Sequence, residues 1–408
     1  MEGFIESEIS LIPDEWRLFD FVKTIKRCDI GRRNQIDASQ IEKKGQFPVI
    51  DQGQDYIAGY SNSEDKLFSP ENPLIIFGDH TRCFKFVDFP FILGADGTKV
   101  LNPDLNLFDP KYYYFYFKSV KIQNRGYNRH FKLLKELKVI CPPMHEQKTI
   151  ASILSKIQSA IETQEKIIKT TTELKKTLMQ KLFSEGLYDE PQKVTEIGKI
   201  PKGWKVVELG DNGVLELVQY GLSVKGYEDG KYPMLRMNTI LNGYCVDRNL
   251  KYVNIEKDEF EKFKLEYGDI LFNRTNSIDL VGKTGIFILK GEYTFASYLI
   301  RLKTNQRILN SFYLNHYINL ESSQKRLKGL ASRGVSQSNI SGSRLKTFLI
   351  PLPATLREQE EIIDIISKLD KKIAFTERKR SQYNELFKSM LHQLMTGQIR
   401  VKDIKIAS

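Results

Sequence analysis

"IPLPATLREQEEIIDIISKLDKKI" occupies residues 350–373. Its first half reads as the end of a strand. Pro351 and Pro353 stop a sheet there, because proline has no N–H to give to a ladder. Its second half reads as the start of a helix. Thr355 stands where an N-cap belongs, with Glu358 three residues on at the capping-box position. Glu358, Glu360 and Glu361 suit the positive end of the helix dipole. The junction therefore turns a globular segment onto a rod. The chain carries it twice: residues 140–161 read "ICPPMHEQKTIASILSKIQSAI".

Working outward, the rest repeats in the same order. "IPDEW" (12–16) returns as "IPKGW" (200–204), and "GQFPVI" (45–50) as "GKYPML" (230–235). "PLIIFGDHT" (73–81) parallels "GDILFNRTN" (268–276), with Phe77 opposite Phe272. "PKYYYFYF" (110–117) parallels "NSFYLNHY" (310–317), and "NRGYNRH" (124–130) parallels "ASRGVSQ" (331–337). Each match is short, but chance does not keep six of them in order. The chain reads as a duplicated unit, a mixed α/β globule of about 140 residues followed by a long helix.

In the helices, apolar side chains recur in an alternating four-three spacing. Ile150, Leu154, Ile157, Ile161, Ile168, Leu178 and Leu182 mark one stripe, and Ile362, Ile366, Leu369, Ile373, Phe387, Met390 and Leu394 the other. This is the seam of a coiled coil. About 37 residues per helix gives roughly 55 Å, a stripe longer than a globule of this size covers, so the two stripes are expected to cover each other. The middle of the seam is polar, with Gln164, Thr171, Lys175, Thr376 and Arg380. Such positions fix register at a cost in stability.

Composition narrows the function. The 408 residues carry a formal charge of +11, and 41% are hydrophobic. The basic balance suits a polyanionic partner, nucleic acid or an anionic surface. No apolar run approaches the ~18 residues of a membrane span, and the acidic start "MEGFIESEISLIPDEW" has no signal-peptide core. The four cysteines and five histidines have no metal-ligand spacing. The expectation is a cytoplasmic protein with no disulfides, no metal and no cofactor.

No catalytic constellation is found. "CPPM" (141–144) is the nearest approach to an adenine-methyltransferase motif, and it lacks both the polar first residue and the final aromatic. Pro13-Asp14 with Glu42-Lys43-Lys44 spells a nuclease pattern, but Glu-x-Lys recurs at 136–138 and 173–175. No P-loop and no dinucleotide fingerprint is present.

Basic and polar turns after apolar strands are the better candidates. "GDHTRCFK" (78–85) offers Asp79, His80, Thr81, Arg82 and Lys85, and "RGYNRHFK" (125–132) offers Arg125, Tyr127, Arg129, His130 and Lys132. "NRTNS" (273–277) offers Asn273, Arg274, Thr275 and Asn276, and "SRGVSQSNI" (332–340) offers Arg333, Gln337 and Asn339. These side chains suit base edges and phosphates. The alternative is that they are solvated turns and helix caps. The aromatic run Tyr112–Phe117 reads as core.

Two such units with Glu-Gln-bearing proline–helix junctions resemble the specificity subunit of type I restriction-modification systems. The resemblance rests on "CPPMHEQ", "IPLPATLREQ", "GDILFNRTNS", "SRGVSQSNI" and the duplicated layout. It implies an α+β chain with pseudo-twofold symmetry: two mixed α/β target-recognition domains separated by two long helices in an antiparallel coiled coil. The expected boundaries are a first recognition domain at 1–143 and a first spacer helix at 144–186. A second recognition domain follows at 187–354, with 187–200 as linker, and a second helix and tail at 355–408. It also implies that each domain reads half of a split, asymmetric target on double-stranded DNA. The helices then set the spacer and dock two methyltransferase subunits, with restriction subunits joining through the complex. The chain itself is non-catalytic on this reading. Two rivals stay open: a coiled-coil adaptor without DNA specificity, and the recognition subunit of a fused, ATP-independent restriction enzyme.

Overall fold

A computed structural model describes residues 4–6, 11–123, 126, 129–188, 190–333 and 337–401, without the side chains of residues 4–6, 11 and 333. The chain forms two compact units, Met1–Lys166 with Glu377–Ser408, and Ile167–Thr376. This differs from the boundaries expected from sequence. Each unit takes one globule together with a stretch of both long helices, because those stretches share the globule's core.

In the first unit, strands Ile25–Lys26, Thr98–Pro103, Leu74–Gly78 and Phe84–Val87 form one antiparallel sheet in that order. A second sheet orders Gln35–Ile36, Ile92–Gly94, Phe47–Ile50 and Gly59–Ser61. The aromatic run forms helix α1 (Pro110–Ser119), and Tyr112 to Phe117 are all buried. Asp109 starts it by accepting from the backbone N–H groups of Lys111 and Tyr112 at 3.0 and 2.9 Å. Phe117 stacks on Phe84 at 5.3 Å. Strand Lys138–Cys141 pairs antiparallel with Arg17–Asp20 and leads into the long helix α2 (Met144–Glu185).

The second unit repeats this frame on different sheets. Six strands run in the order Leu215–Tyr220, Leu299–Thr304, Ile270–Asn273, Thr284–Ile286, Tyr244–Cys245 and Ile240–Leu241. Helix α3 (Ser311–Ile318) stands where α1 stands in the first unit, capped by Asn310. Strand Leu349–Leu352 pairs with Lys205–Glu208 and leads into the long helix α4 (Leu356–Met395). The expected linker at 187–200 is not structureless: Gln192–Thr195 and Gly198–Pro201 form a hairpin.

The ends of the seams are buried in the cores of the units, and the apolar positions between them are half-buried. Ile150, Leu154, Leu391 and Leu394 share the first core, and Leu182, Phe183, Ile362 and Ile366 the second. The start of α2 thus meets the end of α4 in one unit, and the end of α2 meets the start of α4 in the other, which is antiparallel pairing. Polar seam residues find local partners. Thr376 Oγ1 donates to the Lys372 carbonyl at 2.7 Å, and Lys175 Nζ reaches Asp370 Oδ1 at 2.5 Å.

The structure gives the Glu-Gln pair a purpose that sequence did not suggest. Gln147 is fully buried and donates from Nε2 to the carbonyls of Leu107 and Pro142, both at 2.8 Å. Its Oε1 accepts from Asp109 N at 2.9 Å. Gln359 does the same in the second unit, donating to the Ile308 carbonyl at 3.0 Å and accepting from Asn310 N at 2.9 Å. Each glutamine locks a long helix to the loop that starts the aromatic helix. A tyrosine adds a second tie: Tyr112 donates to the Ile140 carbonyl and Tyr313 to the Pro351 carbonyl, both at 3.1 Å. Thr355 caps α4 as expected, accepting from Glu358 N at 3.2 Å.

Candidate nucleic-acid interface

In the second unit, two segments more than 60 residues apart in sequence are hydrogen-bonded into one small sheet. Thr275–Asn276 pairs with Ser338–Asn339, which pairs with Ser332–Arg333. The "NRTNS" and "SRGVSQSNI" motifs therefore present a single surface. Arg274 lies at its centre, half-buried. Its backbone is fixed from both sides, donating to the Tyr298 carbonyl at 3.0 Å and accepting from Ile340 N at 2.9 Å. Its guanidinium lies 4.7 Å from the centre of the Tyr220 ring and donates from Nη2 to Asn339 Oδ1 at 3.4 Å. The Asn339 amide in turn donates to Thr275 Oγ1 at 3.1 Å. Stacking and hydrogen bonding pre-orient the fork of donors that a guanine edge or a phosphate needs. Asn276 donates to Met237 Sδ, and Gln337 is exposed.

In the first unit, the turn after strand Leu74–Gly78 is tied to the segment before Phe131. Asp79 makes the tie. Its Oδ1 accepts from Phe131 N at 2.7 Å, and its carbonyl accepts from His130 N at 3.0 Å. His80 N donates to Gln52 Oε1 at 3.3 Å, and the Thr81 hydroxyl donates to the Gln52 carbonyl. Arg82 has a φ of +62°, which an L-residue adopts at a cost, and its Nη1 reaches the Ile122 carbonyl at 3.3 Å. It lines a cleft of about 560 Å³ together with Tyr56, Phe84 and Lys118. Arg129 and Lys132 are exposed.

Four expected contact residues lie inside instead. Asp79 and His130 are buried and bonded to each other's segment. Lys85 is 4% exposed and pairs with Asp51 Oδ1 at 3.3 Å, since a buried ammonium needs a counter-charge. Asn273 is fully buried and donates to the Leu280 carbonyl at 3.2 Å, closing the 273–282 loop. These four are corrected from exposed contact residues to buried supports of the candidate loops. Arg125 and Tyr127 lie outside the described residues, as does the side chain of Arg333.

Each unit thus brings its two motif-bearing segments together at the end of the corresponding strand, on loops of different chemistry. The family model described as "Type I restriction modification DNA specificity domain" matches residues 22–172 and again 201–385. The chain belongs to this family. The type I restriction enzyme MjaVIII specificity subunit of Methanocaldococcus jannaschii is 26% identical, over 99% of this chain and 97% of its own length. In fold, the chain is similar to the S subunit of a type I restriction-modification system from M. genitalium. That alignment has a TM-score of 0.64 at 17% identity and covers 93% of this chain and 96% of the other. A second solved chain, from a study of complex assembly and conformational transition of the type I R-M system, aligns with a TM-score of 0.53 at 16% identity, over 95% and 99% of the two chains.

Each specificity-domain match contains one of the two candidate surfaces. Among the described residues, no cluster of His, Cys, Asp and Glu has the arrangement of a metal site, and no helix is long and apolar enough to cross a membrane. Sequence reasoning missed two members of the surfaces, Tyr220 and Gln52. Tyr220 was signalled only by the glycine that follows it at a strand end. Gln52 lies in a turn with no signal of its own.

Proposed function

We propose that the chain is the DNA-reading subunit of a type I restriction-modification complex in which each unit reads one half of a bipartite target. One observation carries this reading: a repeated frame presents two different loop sets at the same strand end. Two readers of different half-sites need that difference, and a symmetric scaffold does not. The antiparallel helices set the gap between half-sites and dock two methyltransferase subunits, through which restriction subunits join. Methyl transfer and cleavage belong to those partners. Arg274, Thr275, Asn276, Gln337 and Asn339 read one half-site. His80, Thr81, Arg82, Arg129 and Lys132 face the other, with Arg125, Tyr127 and Arg333 as further members of the two surfaces.

The test is the motif methylated by the reconstituted complex. Arg274→Ala should relax one base position in one half-site, at roughly 1–3 kcal/mol of discrimination, and leave the other half-site and the gap unchanged. A motif that does not change, or that changes in both halves, defeats the assignment.

A further inference from the structure

Beside the Arg274 surface lies a basic cleft that no motif announced. It measures about 380 Å³ and is lined by Ser223, Lys225, Arg236, Lys251, Ser297 and Tyr298. Its floor is the backbone that also holds Arg274. Leu222 N donates to the Phe295 carbonyl at 2.9 Å, Ser297 N donates to the Leu222 carbonyl at 2.8 Å, and Tyr298 supplies the carbonyl that Arg274 N meets. Two glycines make the close approach feasible. A Cβ on Gly221 would stand 2.4 Å from the Ala296 carbonyl oxygen, and one on Gly226 would stand 2.7 Å from Lys251 Cβ. On the other side, Met237, next to Arg236, accepts the Asn276 amide. Cleft and reading surface are therefore one continuous face.

The charge of the cleft is not internally balanced. Lys251 holds Glu228. Among the described residues, Arg236 and Lys225 have no carboxylate within ion-pair distance, and Lys225 lies only over the Tyr227 ring at 5.9 Å. Tyr298, which lines the cleft, is 45% exposed, and Tyr227, next to the lining Gly226, is 51% exposed. Two uncompensated cations, flanking hydroxyls and exposed phenol rings form a seat for a phosphodiester. They lack the rigid donor–acceptor pattern that distinguishes one base from another.

Resting on the reading of this unit as a DNA reader, we infer that the Lys225–Arg236 cleft grips the duplex backbone next to the half-site read by Arg274. It supplies affinity and register, and Arg274 supplies sequence. The occupant is a DNA phosphate, which makes the cleft a salt-sensitive clamp.

The experiment titrates the full chain, in complex with its methyltransferase subunits, against target and scrambled duplexes over a range of salt. Lys225→Ala with Arg236→Ala should weaken both duplexes by the same factor. It should also reduce the slope of log K against log salt by about 0.9 per lost contact, about 1.8 for the pair, and leave the methylated motif unchanged. Arg236→Lys should keep most of the slope. An unaltered slope overturns the clamp, and so does a changed motif, which would make the cleft a base reader. Arg274→Ala in the same assay separates the two ideas. If it relaxes the motif while the cleft variants do nothing, only the clamp fails. If neither variant has any effect, the reading of the whole face fails with it.

Discussion

The two proline–helix junctions are built on one plan, yet their glutamates are treated in opposite ways. Glu146 is buried and meets Arg400, which donates from Nη2 to Oε1 at 2.7 Å and from Nε to Oε2 at 3.3 Å, and also reaches Glu15 at 2.8 Å. These carboxylates hold the Arg400 guanidinium above its ordinary range. Among the described residues, Glu358 has no cation within ion-pair distance. Its Oε1 accepts from Trp204 Nε1 at 2.8 Å, and burial pushes its carboxyl up, against the indole hydrogen bond. The equivalent Trp16 lies under the Arg400 guanidinium at 5.7 Å. The glutamine next door makes the same clamp in both units. What the duplication kept is the neutral lock between helix and loop, and what drifted is how the neighbouring charge is satisfied.

The largest effect should come from breaking the charged version. Arg400→Met leaves Glu146 buried without its partner, and should cost the first unit roughly 3–5 kcal/mol. Trp16 and Trp204 are the chain's two tryptophans, one in each unit. Urea unfolding followed by Trp16 fluorescence in a Trp204→Phe background isolates the effect. A midpoint that does not move would mean that the ion pair contributes nothing.

A second contrast concerns acid. Phe115 in α1 and His316 in α3 hold equivalent places in the two aromatic helices. Phe115 packs on Phe387 at 6.0 Å. His316 is enclosed, and burial, reinforced by Lys175, pushes its imidazole down to about 4 against the opposing pull of Asp370. The imidazole stays neutral in the folded unit while an unfolded one takes up a proton below about 6.5. Stability is therefore full above about pH 6.5 and falls as pH drops toward 4, by roughly 3 kcal/mol in total. His316→Phe should flatten that fall in the second unit and leave the first unit's acid profile as it was. An equally steep fall in the variant would assign the acid sensitivity elsewhere.

The smallest effect is also the sharpest discriminator. The same change, glutamate to glutamine, should cost roughly 2 kcal/mol at Glu146, where a charged hydrogen bond is lost. At Glu358 it should cost less than about 1 kcal/mol, because an amide oxygen accepts the indole N–H as well. Equal costs at the two sites would erase the distinction drawn here.

The frame was legible in the sequence and the interface only in part. Heptad spacing, the aromatic run and the order of the repeats depend on periodicity, which a sequence displays directly. Whether a polar residue at a turn faces out or in depends on partners far along the chain. Lys85 is turned inward by Asp51 and Asn273 by the Leu280 carbonyl. Arg274 is aimed by Tyr220, 54 residues earlier, and by Asn339, 65 residues later. The Lys225–Arg236 cleft needed three separate loops to meet, and none of them carries a pattern of its own.

The tie between Tyr313 and Pro351 has a consequence for self-association. Among the described residues, the strand Leu349–Leu352 belongs to a sheet of two strands, and its outer side is already covered: Pro351 is buried, and the Leu349 carbonyl accepts from Arg326 Nη1 and Nη2, both at 3.1 Å. The register pairs Val206 with Pro351, and the bond from Leu209 N to the Phe348 carbonyl makes the Pro351 pair one whose backbone groups point away from the partner strand. At that outward position proline offers no N–H, and its carbonyl is already taken by Tyr313. A third strand would find neither donor nor acceptor at this point. The residues that turn the chain onto its rod also cap the sheet against edge-to-edge stacking, the route by which unguarded strands lead to aggregates.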